Sequence, residues 1–243
     1  MSYDDYDEEF TDVSLDELKK FLEWMNVKKG IYPIIIGGWA VYAYKQSLGS
    51  KDIDVVMPTD KDLNGLLLEE YFPASGYNVK KDKYFNPKYY VKEIEDKGRI
   101  KEIIVDVFIG NFSKEDEEGF GIKFHWNQVL EYQELKEIEG LSLYVPKREL
   151  LIFLKVIASL ERASKYDKTG DENIPSKIWK DYHDIAILVS LKELDAKLLK
   201  KFLDESNVQQ YVEKFLIKYK TDYSKILVDL GMKYQEIEEC FKE

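Results

Sequence analysis

Three aspartates on two short apolar segments constrain this chain more than any other feature. Asp52 and Asp54 alternate with apolar residues, and Asp106 lies alone in an apolar run over 103–109. Alternate residues of a strand face the same side, so the side chains of Asp52 and Asp54 are expected to project together. An isolated carboxylate is costly among apolar neighbours unless a cation or polar group accompanies it. The pattern predicts two strands that carry acidic groups.

A divalent cation is one explanation for these carboxylates, because it keeps neighbouring like charges ionised. Mg²⁺ suits them, since it takes one or two carboxylates together with substrate phosphates. Alternatives stay open for each group taken alone. Asp52 and Asp54 also fit the solvated face of a half-exposed strand, and Asp106 also fits a pair with a buried Lys or Arg.

Two glycines, Gly37 and Gly38, follow an apolar strand predicted over 31–36 and precede a helix predicted over 38–47. Taken alone, they indicate only a turn with unusual backbone angles. The interval from there to Asp52 gives space for one helix and a short loop before the next strand. Such a unit brings the glycine turn, the helix N-terminus and the aspartate strand into one neighbourhood.

This order of motifs resembles the nucleotidyltransferase superfamily with the DNA polymerase β type of fold. The matching residues are Ile36-Gly37-Gly38, then Asp52-Ile53-Asp54-Val55, then Asp106 on a later strand. The resemblance covers residues 31–110 and is nearest in style to minimal nucleotidyltransferases, including abortive-infection toxin-like members. It implies an α/β (α+β) fold, in which a polymerase β-like mixed sheet flanked by helices is followed by a C-terminal helical domain.

The resemblance also implies a chemistry, which is the transfer of an NMP from an NTP such as ATP to a hydroxyl acceptor with release of pyrophosphate. Asp52 and Asp54 would hold Mg²⁺ or Mn²⁺ on the triphosphate. Asp106 would complete a second metal site and help to deprotonate the attacking hydroxyl. The alternative is a catalytically silent nucleotide-binding module, or a toxin-antitoxin-like interaction module with an antitoxin-like protein partner.

Four further residues are candidate nucleotide contacts. Gly37 and Gly38 would let backbone amides approach the phosphates. Ser50 would add a hydroxyl hydrogen bond, although the Ser50 segment also fits a plain loop. Lys155 lies in an apolar part of a helix predicted over 150–166, where toxin-like relatives often carry a lysine.

The surroundings of Lys155 allow a structural explanation as well. Arg148, Lys155 and Arg162 recur every seven residues and form one stripe. That stripe fits either a surface that faces the triphosphate or the wet side of an amphipathic helix. In the same relatives a Lys-Asp-x-x-Asp motif follows, here Lys180 to Asp184, which also fits a plain i,i+4 ion pair.

The chain divides into three predicted regions: a flexible acidic N-terminus over 1–12, a nucleotidyltransferase core over 13–145 and a helical domain over 146–243. The pattern Ser14-Leu15-Asp16-Glu17 is typical of a capping box and predicts a helix to about residue 28. Further strands are predicted over 52–57, 77–81, 88–95 and 100–109, strand-like pieces over 122–126 and 133–145, and helices over 60–71, 177–191, 193–204, 207–220 and 232–242.

Composition excludes several classes of protein. Cys240 is the single cysteine, so an internal disulfide is excluded. The two histidines, His125 and His183, are far apart in sequence, which argues against a His-rich zinc site or a Ser-His-Asp hydrolase. The sequence contains no apolar stretch long enough for a membrane span and begins with acidic residues, so we expect a cytoplasmic protein without a membrane partner.

The net charge of −11 disfavours broad binding to nucleic acid. The segment 77–92 is an exception, because Lys80, Lys81 and Lys83 alternate there with several aromatic residues. Such a mixture stacks on bases and contacts phosphates, so RNA or tRNA is one candidate acceptor. The alternative, which the composition favours, is a surface hairpin whose aromatics pack on the sheet and whose lysines face water. A protein hydroxyl or a small molecule remains an alternative acceptor.

Overall fold

The computed structural model describes residues 8–58, 67–81, 88–96, 99–110, 113–114 and 118–242. The chain packs as two compact units. The sheet unit comprises Ser2–Ser113 and His125–Pro146, and the helical unit comprises Lys114–Phe124 and Lys147–Glu243. The sequence assigns the whole of 13–145 to the core, whereas the segment Lys114–Phe124 packs with the helices.

Strands in the described part of the sheet unit form one mixed sheet of seven, in the order β3-β4-β5-β2-β1-β7-β6. They are β1 (Ile34–Ile36), β2 (Ile53–Met57), β3 (Asn78–Lys81), β4 (Lys88–Asp96), β5 (Arg99–Ile109), β6 (Gln133–Ile138) and β7 (Leu141–Pro146). The pairs β1–β7 and β2–β5 are parallel, and the other neighbours are antiparallel. Strands β2 and β5 lie side by side within the sheet, and they confirm the strands predicted around Asp54 and Asp106.

Helices of the sheet unit connect or cover these strands. They are α1 (Glu8–Glu23), which continues as a π-helical segment (Trp24–Lys29), α2 (Gly37–Tyr44), the short α3 (Phe72–Ala74) after a π-helical turn (Leu67–Tyr71), and α4 (Asn127–Glu131). The predicted helix over 60–71 lies partly outside the described residues. Lys29 is followed by Gly30 at φ +67°, a left-handed conformation that ends the helix.

The first helix corrects the capping-box prediction. Helix α1 already includes Glu8, so Ser14 lies inside the helix and does not begin it. Residues 8–12, predicted to belong to a flexible terminus, are helical. The Ser14 side chain is fully buried and bonds to another segment, and Glu17 pairs with Lys20 and Lys92. These contacts replace the backbone bonds that the Ser14 and Glu17 side chains would make in a capping box.

The helical unit consists of helices that pack through apolar faces. They are α5 (Arg148–Thr169), α6 (Ile174–Val189), α7 (Ala196–Glu205), α8 (Gln209–Thr221), α9 (Ser224–Asp229) and α10 (Tyr234–Lys242). Sequence analysis did not predict α9, which is only six residues long. No helix in the described part of the chain combines the length and the apolar character that a bilayer span requires.

Two boundaries differ from prediction. The strand-like piece predicted over 122–126 contains only an isolated bridge, between Ser113 and His125. The piece over 133–145 is a true hairpin, in which β6 and β7 pair around Glu139 and Gly140. Both turn residues have positive φ, at 48° and 82°, which suits a tight hairpin turn.

Candidate functional site

The glycine turn brings the backbone against the second aspartate. Gly37 directly follows β1 and adopts φ +69°, which favours glycine. A Cβ at this position would lie 3.0 Å from the carboxyl carbon of Asp54 and would overlap one of its oxygens. Strand pairing explains this proximity, because Ile36 lies opposite Asp54. Gly37 is therefore required both for the turn and for the space that the Asp54 carboxylate fills.

Asp54 and Asp106 are direct neighbours across two parallel strands. The register of β2 and β5 places them as Cα partners, so they project from the same face. Neighbouring strands lie about 4.8 Å apart, so the two side chains leave adjacent points on one face of the sheet. Both residues are half-buried. The sheet thus brings together two candidate aspartates that are far apart in sequence.

Asp52 lies one residue before β2, in a bend, and is also half-buried. It is close in the chain to Asp54, but it is outside the ladder that aligns Asp54 with Asp106. Within the described ranges, no group of three or more His, Cys, Asp or Glu side chains is arranged to hold a metal ion. The metal roles of Asp52, Asp54 and Asp106 stay predictions.

A buried hydrogen-bond chain ties helix α1 to the segment that precedes Asp52. The indole Nε1 of Trp39 donates to Ser14 Oγ at 3.3 Å, and Ser14 Oγ donates to the carbonyl of Lys51 at 2.9 Å. Ser14 is 0 % exposed and Trp39 is 1 % exposed, so water does not compete for these bonds. These two hydrogen bonds fix the backbone immediately before Asp52.

The loop that carries Ser50 is packed against the same helix. Ser50 is buried, and a Cβ added to the preceding Gly49 would lie 3.1 Å from the Thr11 side chain. The contact of Ser50 with a phosphate stays a prediction. Sequence reasoning missed Thr11, Ser14 and Trp39 as site-supporting residues. The one available signal was the need of a buried indole N–H for an acceptor.

Lys155 lies in a buried charge network of the helical unit. Its Nζ is 2.7 Å from Asp184 and 3.4 Å from Asp181, and Lys180 binds Asp184 at 2.8 Å. The predicted i,i+4 pair of Lys180 and Asp184 is confirmed. Burial opposes the charged form of Lys155, but the carboxylates of Asp184 and Asp181 raise its pKa overall. The lysine is therefore held charged by protein carboxylates, and its contact with a nucleotide stays a prediction.

The other members of the stripe on α5 also have internal partners. Arg148 is buried and donates to the carbonyls of Leu191 and Lys192 at 2.9 and 2.8 Å. Both carbonyls lie in the segment that follows helix α6. Arg162 forms an ion pair with Asp181. The seven-residue repeat therefore marks internal contacts of this unit, and the interpretation as a wet helix face is wrong for Arg148 and Lys155, which are both buried.

The basic aromatic segment packs partly into the sheet unit. The ring of Tyr90 stacks on Phe72, with ring centres 3.5 Å apart. Lys92 pairs with the buried Glu17 at 2.9 Å, and the hydroxyl of Tyr77 donates to the same carboxylate at 3.1 Å. These three residues therefore have structural roles.

The lysines of the predicted RNA surface are only partly covered by the structure. Lys80 and Lys81 belong to β3. Lys83 and its aromatic neighbours Tyr84 and Phe85 lie outside the described residues. The RNA contact therefore stays a prediction that depends on the charge of the sequence.

Comparison with known proteins gives structural likeness without sequence likeness. No family model matches the chain, and no curated protein matches it. The solution structure of the antibiotic-resistance factor ANT(2'')-Ia matches with a TM-score of 0.50 at 15% identity, over 84% of this chain and 97% of that chain. A crystal structure of the same factor in complex with adenylyl-2''-tobramycin gives 0.47 at 17%, over 78% and 97%.

A nucleotidyltransferase-like antigenic protein from Paracoccidioides brasiliensis gives a TM-score of 0.46 at 15% identity, over 93% of this chain and 94% of that chain. At such identities a likeness concerns the fold alone. The mixed sheet followed by helices is the architecture that the motifs predict, and the match to the solution structure of the resistance factor is a likeness of fold over 84% of this chain. The chain has the nucleotidyltransferase fold that its motifs predict.

Proposed function

We propose that this chain is a metal-dependent nucleotidyltransferase, which moves an NMP from an NTP to a hydroxyl acceptor and releases pyrophosphate. One observation carries the proposal. Asp54 and Asp106 are side-by-side partners on parallel strands, and the glycine turn at Gly37 closes directly on Asp54. Acidic oxygens beside a helix N-terminus are the groups that a metal-bound triphosphate needs.

The donor set suits Mg²⁺ or Mn²⁺, because aspartate oxygens are the hard ligands that these ions prefer. Asp52 and Asp54 would hold the ion on the triphosphate, and Asp106 would complete the second position. Bound in this way, the metal would stabilise the charge of the attacking and leaving oxygens. The Asp106 carboxylate would also accept a hydrogen bond from the hydroxyl that attacks the NTP, and would thereby favour deprotonation of this hydroxyl.

The backbone supplies the remaining phosphate contacts in this proposal. Gly37 and Gly38 begin helix α2, whose first N–H groups point towards its N-terminus, where negative charge is stabilised. Ser50 would add a hydroxyl, and Ser14 would keep the segment before Asp52 in place through the Lys51 carbonyl. Catalysis of this kind depends on positioning and electrostatics, not on a protein nucleophile.

The acceptor is proposed by chemical class. RNA or tRNA would use Lys80, Lys81 and Lys83, which give the segment a positive charge within an acidic chain. A cationic small molecule would suit the net charge of −11, and the likeness in fold to an antibiotic-resistance factor favours testing this class. A protein hydroxyl is the third class.

A silent nucleotide-binding or toxin-antitoxin-like interaction module is the second candidate. The observation that favours it is the side-chain arrangement in the described residues, where no group of three acidic, His or Cys side chains is ready to hold a metal. Such a module would bind NTP or an antitoxin-like protein without turnover.

Label transfer separates the two candidates. The purified chain is incubated with Mg²⁺ or Mn²⁺ and each α-labelled NTP, against RNA, protein and aminated small-molecule acceptors. The proposal predicts label on one acceptor class and loss of transfer in Asp54→Asn. Nucleotide binding without any labelled product across these acceptors would favour the silent module.

A further inference from the structure

A cavity within the helical unit has features of a second ligand site. It has a volume of ≈ 190 Å³ and lies among helices α5, α6 and α8 and the segment around Phe120. All of its lining residues belong to the helical unit. Asp54 and Asp106 belong to the other unit, so the cavity is lined by different residues from the candidate metal site.

Aromatic rings form much of the lining. Tyr182 and Phe215 are 2 % and 0 % exposed, and their rings stack with centres 4.8 Å apart, so this part is fixed by the core. Phe120 and Tyr211 meet edge to face at 5.0 Å, and the Tyr211 hydroxyl donates to the Phe120 carbonyl at 2.9 Å. Rings held in this way favour a planar aromatic ligand.

The charged groups of the lining favour an anion. Lys214 and Lys218 are one helical turn apart on α8, so they lie on the same face, and both line the cavity. Neither forms a side-chain ion pair in the parts of the chain that the structure describes. Asp167 is the one carboxylate among the described lining residues. The local excess of positive charge contrasts with the net charge of −11 for the chain.

The volume limits the ligand to a single ring. A protein cavity of about 150 Å³ accepts benzene, so ≈ 190 Å³ leaves space for one ring and a small substituent. We propose that this cavity binds a monocyclic aromatic anion, whose ring packs against Phe120, Tyr182 and Tyr211 and whose carboxylate or phosphate pairs with Lys214 and Lys218.

Calorimetric titration of the full chain without NTP tests this site. Benzoate and phenyl phosphate are the two anionic probes, and their relative affinities distinguish a carboxylate ligand from a phosphate ligand. Benzyl alcohol and benzylamine are the neutral and cationic controls. We expect an anionic probe to bind with a Kd in the millimolar range or below, and more tightly than both controls.

Two double variants locate the binding. Lys214→Gln with Lys218→Gln should weaken the anionic probe about tenfold, because two partly exposed ion pairs are lost. Lys200→Gln with Lys220→Gln removes the same charge at exposed positions outside the cavity and should leave the affinity unchanged. Circular dichroism verifies that both variants keep the fold.

Three results would overturn the inference. They are the absence of binding by both anions at about 10 mM, equal affinity for benzyl alcohol or benzylamine, and equal weakening by the control double variant. Since the titration contains no NTP, none of these results depends on whether the chain transfers nucleotides.

Discussion

Gly37 faces Asp54 so closely that any side chain at position 37 would enter the space of the carboxylate, with its Cβ 3.0 Å from the carboxyl carbon. The backbone of Gly37 also has φ +69°, which L residues rarely adopt. The turn and the aspartate are therefore coupled, since neither can move without changing the other.

Gly37→Ala should lower the free energy of unfolding by more than the replacement of a left-handed glycine in open space does. Gly30 is the matched control, because it has φ +67° and no atom within 4 Å of its added Cβ. We expect Gly30→Ala to lower the free energy of unfolding by about 1–2 kcal/mol through backbone strain. Gly37→Ala should lose about 1–3 kcal/mol more through overpacking. Urea denaturation measures both, and equal losses would contradict the coupling.

Ser14→Ala should destabilise the chain and impair transfer, because the Trp39 indole loses its acceptor and the Lys51 carbonyl loses its donor. Leaving buried polar groups unsatisfied costs about 1–3 kcal/mol. Below the melting temperature of the variant, kcat should fall more than KM rises, since the segment before Asp52 is less fixed.

Ser142→Ala is the control for that change, because Ser142 is exposed on β7 in the same unit. Its effect should be within about 0.5 kcal/mol. A Ser14→Ala chain with wild-type kcat and stability would remove the positioning role of this serine.

Acid should weaken the tie between α1 and the sheet through Glu17. Burial raises the pKa of this carboxyl, but the bonds and charges of Lys20 and Lys92 outweigh burial and lower it. Glu17 therefore adds stability above its unfolded pKa, and this stability is lost as the pH falls through the folded pKa. Thermal melts from pH 7 down to pH 3 should show a smaller pH dependence for Glu17→Gln than for the wild type.

Glu137→Gln provides the comparison for Glu17, since Glu137 is exposed on β6. Its melting curve should follow the wild type across the range. A Glu17→Gln variant with the full acid dependence of the wild type would show that other carboxylates control the transition.

The RNA hypothesis predicts a salt effect. Reversal of charge at Lys80, Lys81 and Lys83 to Glu should weaken RNA binding and reduce the slope of log K against log salt, because fewer counterions are released. Reversal at the exposed Lys197, Lys200 and Lys201 of α7 changes the net charge equally elsewhere. RNA affinity that is unchanged in the first variant, or equally reduced in both, would exclude a specific role for 80–83.

The fold was predictable where local patterns and tertiary structure agree. The strands around Asp54 and Asp106 and the amphipathic helices bury the faces that their periodicity indicates. The turn at Gly37 was predicted from its two glycines. Ser14 shows the limit of such patterns. It lies in a capping-box sequence, but its hydroxyl donates to the carbonyl of the distant Lys51 and caps no helix. A local motif carries no information about which segment will later pack beside it.

The candidate site was predictable in part for a similar reason. Strand alternation predicted Asp52 and Asp54 on one side, but in the structure Asp52 precedes β2. Only the order of the strands in the sheet shows that Asp54 and Asp106 are adjacent. The stripe on α5 was ambiguous because a seven-residue repeat fits an exposed face and a helix contact equally. The carbonyl partners of Arg148 and the carboxylates around Lys155 come from elements far along the chain.

Binding of Mn²⁺ in the presence of NTP, followed by electron paramagnetic resonance, tests the pairing of Asp54 and Asp106 most directly. We expect the wild type to bind the ion and both Asp54→Asn and Asp106→Asn to weaken it by about tenfold or more, since each removes a charged ligand. Asp204→Asn makes the same chemical change at an exposed site on α7 and should bind as the wild type does. Wild-type Mn²⁺ affinity in both Asp54→Asn and Asp106→Asn would contradict the metal site.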